Sequence, residues 1–211
     1  MVSDKPDLES AYGLETPDDS RRLYRDWAAT YDQDFLARSG YRFGHLIADA
    51  FKAAGGQGPV LDAGCGTGHI GAFLPPEIEL DGVDISAEML DVARRKGRYR
   101  KLYELDLTAR LPFPDASYNG LTSSGTFTHG HVGPDALDEL VRVLRRGAVS
   151  ALTGNRAFFE TANFAAKFDD LVRRGLITVP ELREELIYAD TGTPPEGHET
   201  DTAYIIVFRR L

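Results

Sequence analysis

Residues 60–68 read Val60-Leu61-Asp62-Ala63-Gly64-Cys65-Gly66-Thr67-Gly68, an apolar run that enters three alternating glycines. A second apolar run ends at Asp84. A strand that empties into a glycine turn, with an acid closing the next strand, constrains the chain to a nucleotide-binding crevice of the doubly wound α/β kind. Glycines let the backbone turn sharply and approach a ligand with no Cβ in the way. The acid, about 20 residues downstream, is placed to accept from both hydroxyls of a ribose.

The flanking rhythm agrees with that crevice. Strand-like runs at Pro59–Asp62, Ile78–Asp84, Lys101–Leu105, Tyr118–Ser123 and Ala148–Thr153 alternate with helical ones. One helix is expected after Gly68, one is capped by Ser86, and one runs from Pro134 to about Leu144, ended by Gly147. Such alternation predicts a parallel sheet covered on both faces. The C-terminal third differs. An aromatic-rich helix is expected from Phe158 to Arg174, followed by strands at Glu181–Ala189 and Thr202–Arg209. Asp190–Asp201 joins them with two prolines and two glycines, so the sheet is expected to finish with an antiparallel strand. The expected fold is therefore a seven-stranded, Rossmann-like sheet, mostly parallel.

Before the first strand, residues 1–16 are polar and acidic, and fraying is expected there. Thr16-Pro17-Asp18-Asp19 has a capping hydroxyl, a first-turn proline and acids at the positive dipole end. Leu23, Trp27 and Tyr31 recur every four residues beside Tyr24 and Ala28, which gives one apolar-aromatic face. Ser39-Gly40 breaks the pattern, and a second helix is expected from about Tyr41 to Ala54. The chain reads as one domain, with helices over 17–54 and a binding core over 55–211.

Composition narrows the partners. The 211 residues carry a formal net charge of -9, and an acidic surface repels polyphosphates, which disfavours nucleic acid. Arg94–Lys101 runs against that trend; it reads as a basic last helical turn followed by a solvated turn. The single cysteine, Cys65, excludes an internal disulfide and fits a reducing compartment. Met1–Pro6 has neither a basic leader nor an apolar stretch, and no long apolar run follows. A cytoplasmic protein with no membrane contact is the expectation. The oligomeric state stays open.

Further motifs follow the glycine loop: Gly82-Val83-Asp84-Ile85-Ser86, Leu105-Asp106-Leu107, Leu111-Pro112-Phe113-Pro114-Asp115 and Leu144-Arg145-Arg146-Gly147. With this order and spacing, the chain resembles the class I methyltransferases that use S-adenosylmethionine (SAM). The alternating-glycine form points the same way and away from a nicotinamide cofactor. Tyr24–Asp34 resembles the Williams–Beuren-region methyltransferase-like group.

The resemblance implies roles by position. Gly64, Cys65 and Gly66 would face the methionine part of SAM, with Asp62 near its amino group. Asp84 would hold the ribose, Ile85 would lie against the adenine, and Asp106 and Leu107 would meet the adenine edge. Met89 joins this set. Ser123, with Ser124-Gly125, would close the floor. Tyr24, Trp27 and Tyr31 would form a lid. Two departures stand out: Arg146-Gly147-Ala148 replaces the usual Pro-Gly-Gly, and Thr126–His131 matches no acceptor-specific motif.

Each residue also has a plainer reading. Asp84 could cap a helix, Asp106 could start a turn, and the aromatic stripe could be core. Cys65 sits in too crowded a loop for thiolate chemistry. His129 and His131 are candidate general bases for a hydroxyl acceptor, or residues of an exposed loop. Glu196, His198, Glu199 and Asp201 have the atoms for a hard cation but no implied geometry, so no metal is expected. The implied function is methyl transfer from SAM to a small-molecule acceptor, releasing S-adenosylhomocysteine. The rivals are a non-enzymatic SAM-binding or interaction module and a nicotinamide oxidoreductase.

Overall fold

All four residues of β1 (Val60–Ala63) are buried, because the sheet it belongs to is covered on both faces. The computed structural model describes residues 6–189 and 191–211. The absence of a leader and the fraying expected over residues 1–5 lie outside them, as does Asp190. Among the described residues, seven strands lie in the order β3-β2-β1-β4-β5-β7-β6. The others are β2 (Leu80–Asp84), β3 (Lys101–Glu104), β4 (Tyr118–Phe127), β5 (Leu144–Asn155), β6 (Glu181–Leu186) and β7 (Thr202–Arg209). Pairing is parallel from β3 across to β5, and antiparallel between β5 and β7 and between β7 and β6. Strand order reverses beside β1, so the crevice opens between the C-terminal ends of β1 and β4.

The two faces have separate cores. On one, α5 (Ala136–Arg142), α6 (Arg156–Thr161) and α7 (Phe164–Arg173) bury Leu137, Phe159, Phe164 and Phe168. On the other, α3 (Phe43–Ala53) buries Phe43, Ile47 and Phe51, joined by Leu8 and Ala11 of α1 (Leu8–Tyr12) and by Trp27 of α2 (Pro17–Trp27). Helix α4 (Ala87–Arg95) starts at Ser86, whose hydroxyl accepts from the Met89 amide at 3.3 Å. Among the described residues, no helix is long and apolar enough to cross a membrane.

Several expectations need correction. Residues 8–12 are helical rather than frayed: Asp7 caps them, and Leu8 and Ala11 supply a buried face. The helix expected after Gly68 is only a three-residue turn, Ile70–Ala72. Pro75-Pro76 leaves it no room. The aromatic helix is two helices, broken at Asn163 with φ of 59°. Strand β5 starts at Leu144, so Gly147 lies within it rather than ending a helix. Helix α2 stops at Trp27, and the next segment, Asp32–Ala37, is a wider π-helical turn. The start of α2 is as expected: Thr16 and Asp19 form a reciprocal capping box.

Four of the six basic residues in the run Arg94–Lys101 have structural partners. Arg94 pairs with Asp91, Lys96 with Asp32, and Arg100 with Asp81 and Glu79. Arg98 donates to the carbonyls of Gly71, Pro75 and Ile78.

Beneath the glycine loop, Asp62 is fully buried and joins three elements. Its Oδ1 accepts from the Thr122 hydroxyl at 3.0 Å, and its Oδ2 accepts from the Tyr99 hydroxyl at 2.6 Å. Burial outweighs these donors and pushes the carboxyl up to about 6. A folded-state value above the unfolded one means that the contribution of Asp62 is full below about pH 4 and is lost as pH rises through about 6. Asp62→Asn keeps the shape and removes that titration. Urea unfolding at pH 4 and pH 7 should show the variant gaining on the wild type by up to about 3 kcal/mol at the higher pH. A gap independent of pH would contradict the burial argument.

Candidate active site

A cavity of about 350 Å³ lies at the C-terminal edge of β1, β2 and β4. The glycine loop forms one wall. The Gly64 and Cys65 amides both donate to the Val83 carbonyl, at 2.8 and 2.9 Å, which folds the loop back over β2. Gly64 and Gly66 have φ of 69° and 51°, a region that L side chains avoid. A Cβ on Gly64 would lie 2.1 Å from the Thr126 hydroxyl, whereas one on Gly66 would meet nothing within 4 Å. Gly64 is thus required by packing, and Gly66 leaves open backbone toward the cavity.

Asp84 closes β2 and faces the same space. Its Oδ2 accepts from the Gly66 amide at 2.8 Å and its Oδ1 from the Ser86 amide at 2.9 Å. Burial raises its carboxyl above the usual range against the pull of these amides. Each oxygen keeps capacity for a further donor. Ile85, Met89 and Leu107 give the cavity an apolar side, and Asp106 borders them. One Asp106 oxygen accepts from the Thr108 amide and hydroxyl, a local turn at the cavity edge.

The lid residues divide. Tyr24 and Tyr31 line the cavity. Trp27 does not: it is 4% exposed and stacks behind Tyr24, with ring centroids 6.3 Å apart and planes 9° from parallel. Asp32, in the π-helical turn, accepts from the Thr67 hydroxyl and pairs with Lys96, which fastens that turn to the glycine loop and to the end of α4.

Asp62, Ser123 and His129 are likewise off the cavity wall. Both Asp62 oxygens are taken beneath the loop. Ser123 is buried, and its hydroxyl donates to the Ala63 carbonyl at 2.7 Å. The register shift after Ser123 turns the next residues outward, so Ser124, Gly125 and Thr126 line the cavity instead. The chain turns at Gly130, φ 75°, and this separates the two histidines. His129 packs against Tyr12 and Phe158, while His131 reaches the cavity.

His131 is held from both sides. Its Nδ1 lies 2.7 Å from the His129 carbonyl, which can only accept, so Nδ1 carries the proton. Its Nε2 then accepts from the Tyr24 hydroxyl at 2.5 Å. Burial lowers the His131 value below the ordinary histidine range, so the ring is neutral near pH 7.

Sequence reasoning missed several wall residues. Thr67, His69 and Tyr41 all line the cavity, and Tyr41 shares a 2.9 Å hydrogen bond with Ser124, which with Gly125 lies on the wall as the floor reading implied. Gly125 was the available signal that Ser123 would turn away, since a glycine inside a strand pattern marks a bulge. Nothing in the local pattern marks Tyr41. Among the described residues, no cluster of acids, histidines or cysteines could hold a metal ion.

Comparison with known proteins agrees with this geometry. Residues 60–147 match a family described as a methyltransferase domain. The chain is 34% identical over 155 residues to methyltransferase-like protein 27 of Homo sapiens, covering 69% of this chain and 62% of that protein. It is 37% identical over 97 residues to a demethylmenaquinone methyltransferase of Symbiobacterium thermophilum, covering 42% of this chain and 39% of that one. The chain thus spans less than two thirds of either relative's length. Its fold matches magnesium protoporphyrin IX methyltransferase of Synechocystis PCC 6803, solved with bound S-adenosylhomocysteine. That match has a TM-score of 0.61 at 15% identity and covers 92% of this chain and 99% of that one. In sequence the chain is similar to methyltransferases, and its seven-stranded Rossmann-like sheet is the fold of the class I SAM-dependent methyltransferases.

Proposed function

We propose that the chain transfers the methyl group of SAM to a small-molecule acceptor and releases S-adenosylhomocysteine. The observation that carries this reading is the reach of one cavity. It runs from the Asp84 carboxylate and the open backbone at Gly66 to the His131–Tyr24 pair, so cofactor and acceptor can share one covered space.

The residues present fit the cofactor. Asp84 would accept from the ribose hydroxyls, Ile85, Met89 and Leu107 would sandwich the base, and Asp106 would meet its polar edge. Gly64, Cys65 and Gly66 would follow the amino-acid part along bare backbone, and Tyr24 and Tyr31 would cover the reacting end. When bound, SAM supplies a methyl carbon already activated by its sulfonium. The chain's own work is to orient the acceptor, exclude water and take a proton. His131 suits the last task because its Nε2, which accepts from the Tyr24 hydroxyl, is unprotonated at pH 7 and can take an acceptor's proton by way of Tyr24. His129 lies outside the cavity and takes no part. The net charge of -9 and the pairing of the basic run favour a small acceptor over nucleic acid.

Labelled SAM incubated with the protein and a metabolite extract should yield a labelled small molecule by mass spectrometry; label confined to nucleic acid or protein would refute the acceptor class. Asp84→Ala removes two charge-assisted hydrogen bonds and should weaken S-adenosylhomocysteine by roughly 2–4 kcal/mol in calorimetry. An unchanged affinity in the folded variant takes Asp84 out of the site.

With a hydroxyl acceptor, a base held below the ordinary histidine value is already unprotonated at neutral pH. The rate should therefore be flat above about pH 6.5 and fall only on acidification, as His131 gains its proton. His131→Ala should lower the rate about 10²–10⁴-fold while cofactor affinity is kept. A wild-type rate in that variant would leave His131 as wall only.

A further inference from the structure

The four residues after β4, Thr128 to His131, form a turn closed by the His131 amide, which donates to the Thr128 carbonyl at 3.1 Å. Of its two central residues only Gly130 has a positive φ, 75°. Among the common turns, type II alone places just the third residue there, and that place favours glycine. The turn type fixes the peptide between the central residues, and the carbonyl of that peptide belongs to His129. This is the oxygen that meets Nδ1 of His131 at 2.7 Å. The N-terminal segment touches all four residues of the turn. The Tyr12 hydroxyl lies beside that of Thr128, and the Tyr12 ring packs on His129 with centroids 5.8 Å apart. A Cβ on Gly130 would lie 2.7 Å from the Leu14 carbonyl oxygen and 2.9 Å from the Leu14 Cβ. The Tyr24 hydroxyl bonds to Nε2 of His131.

We propose that the N-terminal segment is a working part of the proton-accepting site: it seats the Thr128–His131 turn and so sets the tautomer of His131, with Gly130 as the positioning residue. This rests on the methyltransferase reading above and adds what makes His131 a base. A neutral imidazole left to itself carries its proton mainly on Nε2, and a hydrogen bond at the other nitrogen can reverse that choice. Here the His129 carbonyl, an acceptor only, holds the proton on Nδ1. Nε2 is left with its lone pair toward the Tyr24 hydroxyl. A type I turn would flip the central peptide. The Gly130 N–H, a donor, would then replace the His129 carbonyl, and Nδ1 would have to accept. The ring proton would move to Nε2, which could no longer take one from Tyr24.

Two independent features select glycine at position 130. An L side chain resists the φ of 75°, and its Cβ would collide with the Leu14 backbone. Behind the turn, Phe158 of α6 backs the His129 ring at 5.0 Å, so Tyr12 and Phe158 hold that residue from two sides. Residues 12–24 therefore do two things together: they carry Tyr24 over the cavity, and they keep the turn that makes Nε2 an acceptor. The proton of a hydroxyl acceptor passes to the Tyr24 oxygen as the Tyr24 proton passes to Nε2. The imidazolium so formed keeps its Nδ1–H on the His129 carbonyl.

Long-range proton–nitrogen NMR of the His131 ring, at neutral pH and without added ligand, reads which nitrogen carries the proton. The wild type should carry it on Nδ1. Gly130→Ala should move it to Nε2, and Tyr12→Leu, which takes the ring off His129, should give a mixture of both forms. Tyr24→Phe should leave it on Nδ1, because the His129 carbonyl stays in place. A glycine with a merely structural role would lower Tm on substitution without moving the proton. With labelled SAM and a metabolite extract, Gly130→Ala should form about tenfold less labelled product or lower still, while calorimetry gives the wild-type affinity for S-adenosylhomocysteine. A proton on Nε2 in the wild type, wild-type ring signals in every folded variant of the Gly130→Ala and Tyr12→Leu pair, or undiminished label in Gly130→Ala overturns the proposal. A wild type with its ring proton on Nδ1 that transfers no label overturns the methyltransferase reading instead.

Discussion

Two buried carboxylates hold the glycine loop, and the site is arranged around them. Asp62 grips from beneath, tying the end of β1 to Thr122 of β4 and to Tyr99. Asp84 grips from the front, through the Gly66 amide. Their partners are hydroxyls and backbone amides rather than cations. Each carboxylate is raised by burial, and the Asp84 charge adds to the shift of Asp62. An arginine in the loop would ease that cost, but it would occupy the volume a cofactor needs. Neutral donors fix the loop and leave the front of Asp84 unspent.

The covering of the crevice follows the same economy of charge. Aromatic rings build it: Tyr24, Trp27, Tyr31 and Phe35 contact one another in series at centroid distances between 5.0 and 6.3 Å. The only ion pair that fastens this layer to the core below is Asp32 with Lys96, among the pairs in the described residues that reach the π-helical turn. A wider turn at Asp32–Ala37 lets Phe35 and Leu36 bury while Asp32 keeps to the glycine loop. Such turns recur at functional sites because they shift side-chain phase without breaking the helix.

The strands themselves were legible in the sequence because most of them carry a local signal, an apolar run bounded by turn residues. The cavity-facing Gly64, Gly66, Asp84 and Ile85 were legible for the same reason. Ser123 was misplaced because one residue of register decides which side of a strand faces the cavity, and the bulge at Gly125 resets it. Asp62 was misplaced because its fate depends on Tyr99, 37 residues away, whose hydroxyl no local pattern could assign to it. Helix α1 was read as frayed because its composition is polar. Two small apolar contacts, Leu8 and Ala11, suffice when a hydrophobic wall from the other end of the chain receives them. The two histidines differ only through one glycine between them, a distinction that spacing cannot draw.

Strand β6 has a consequence for how copies of this chain meet. It is the last strand of the sheet, so one row of its backbone donors and acceptors has no neighbour. Leu182 and Leu186 are half-exposed along it, which by itself invites another edge to zip on. Glu181, Glu184 and Glu185 share those six residues with a single arginine. Two such edges brought together antiparallel would set carboxylate against carboxylate, a juxtaposition that destabilises strand pairing. The acidity of this edge therefore acts against its pairing with the same edge of another copy.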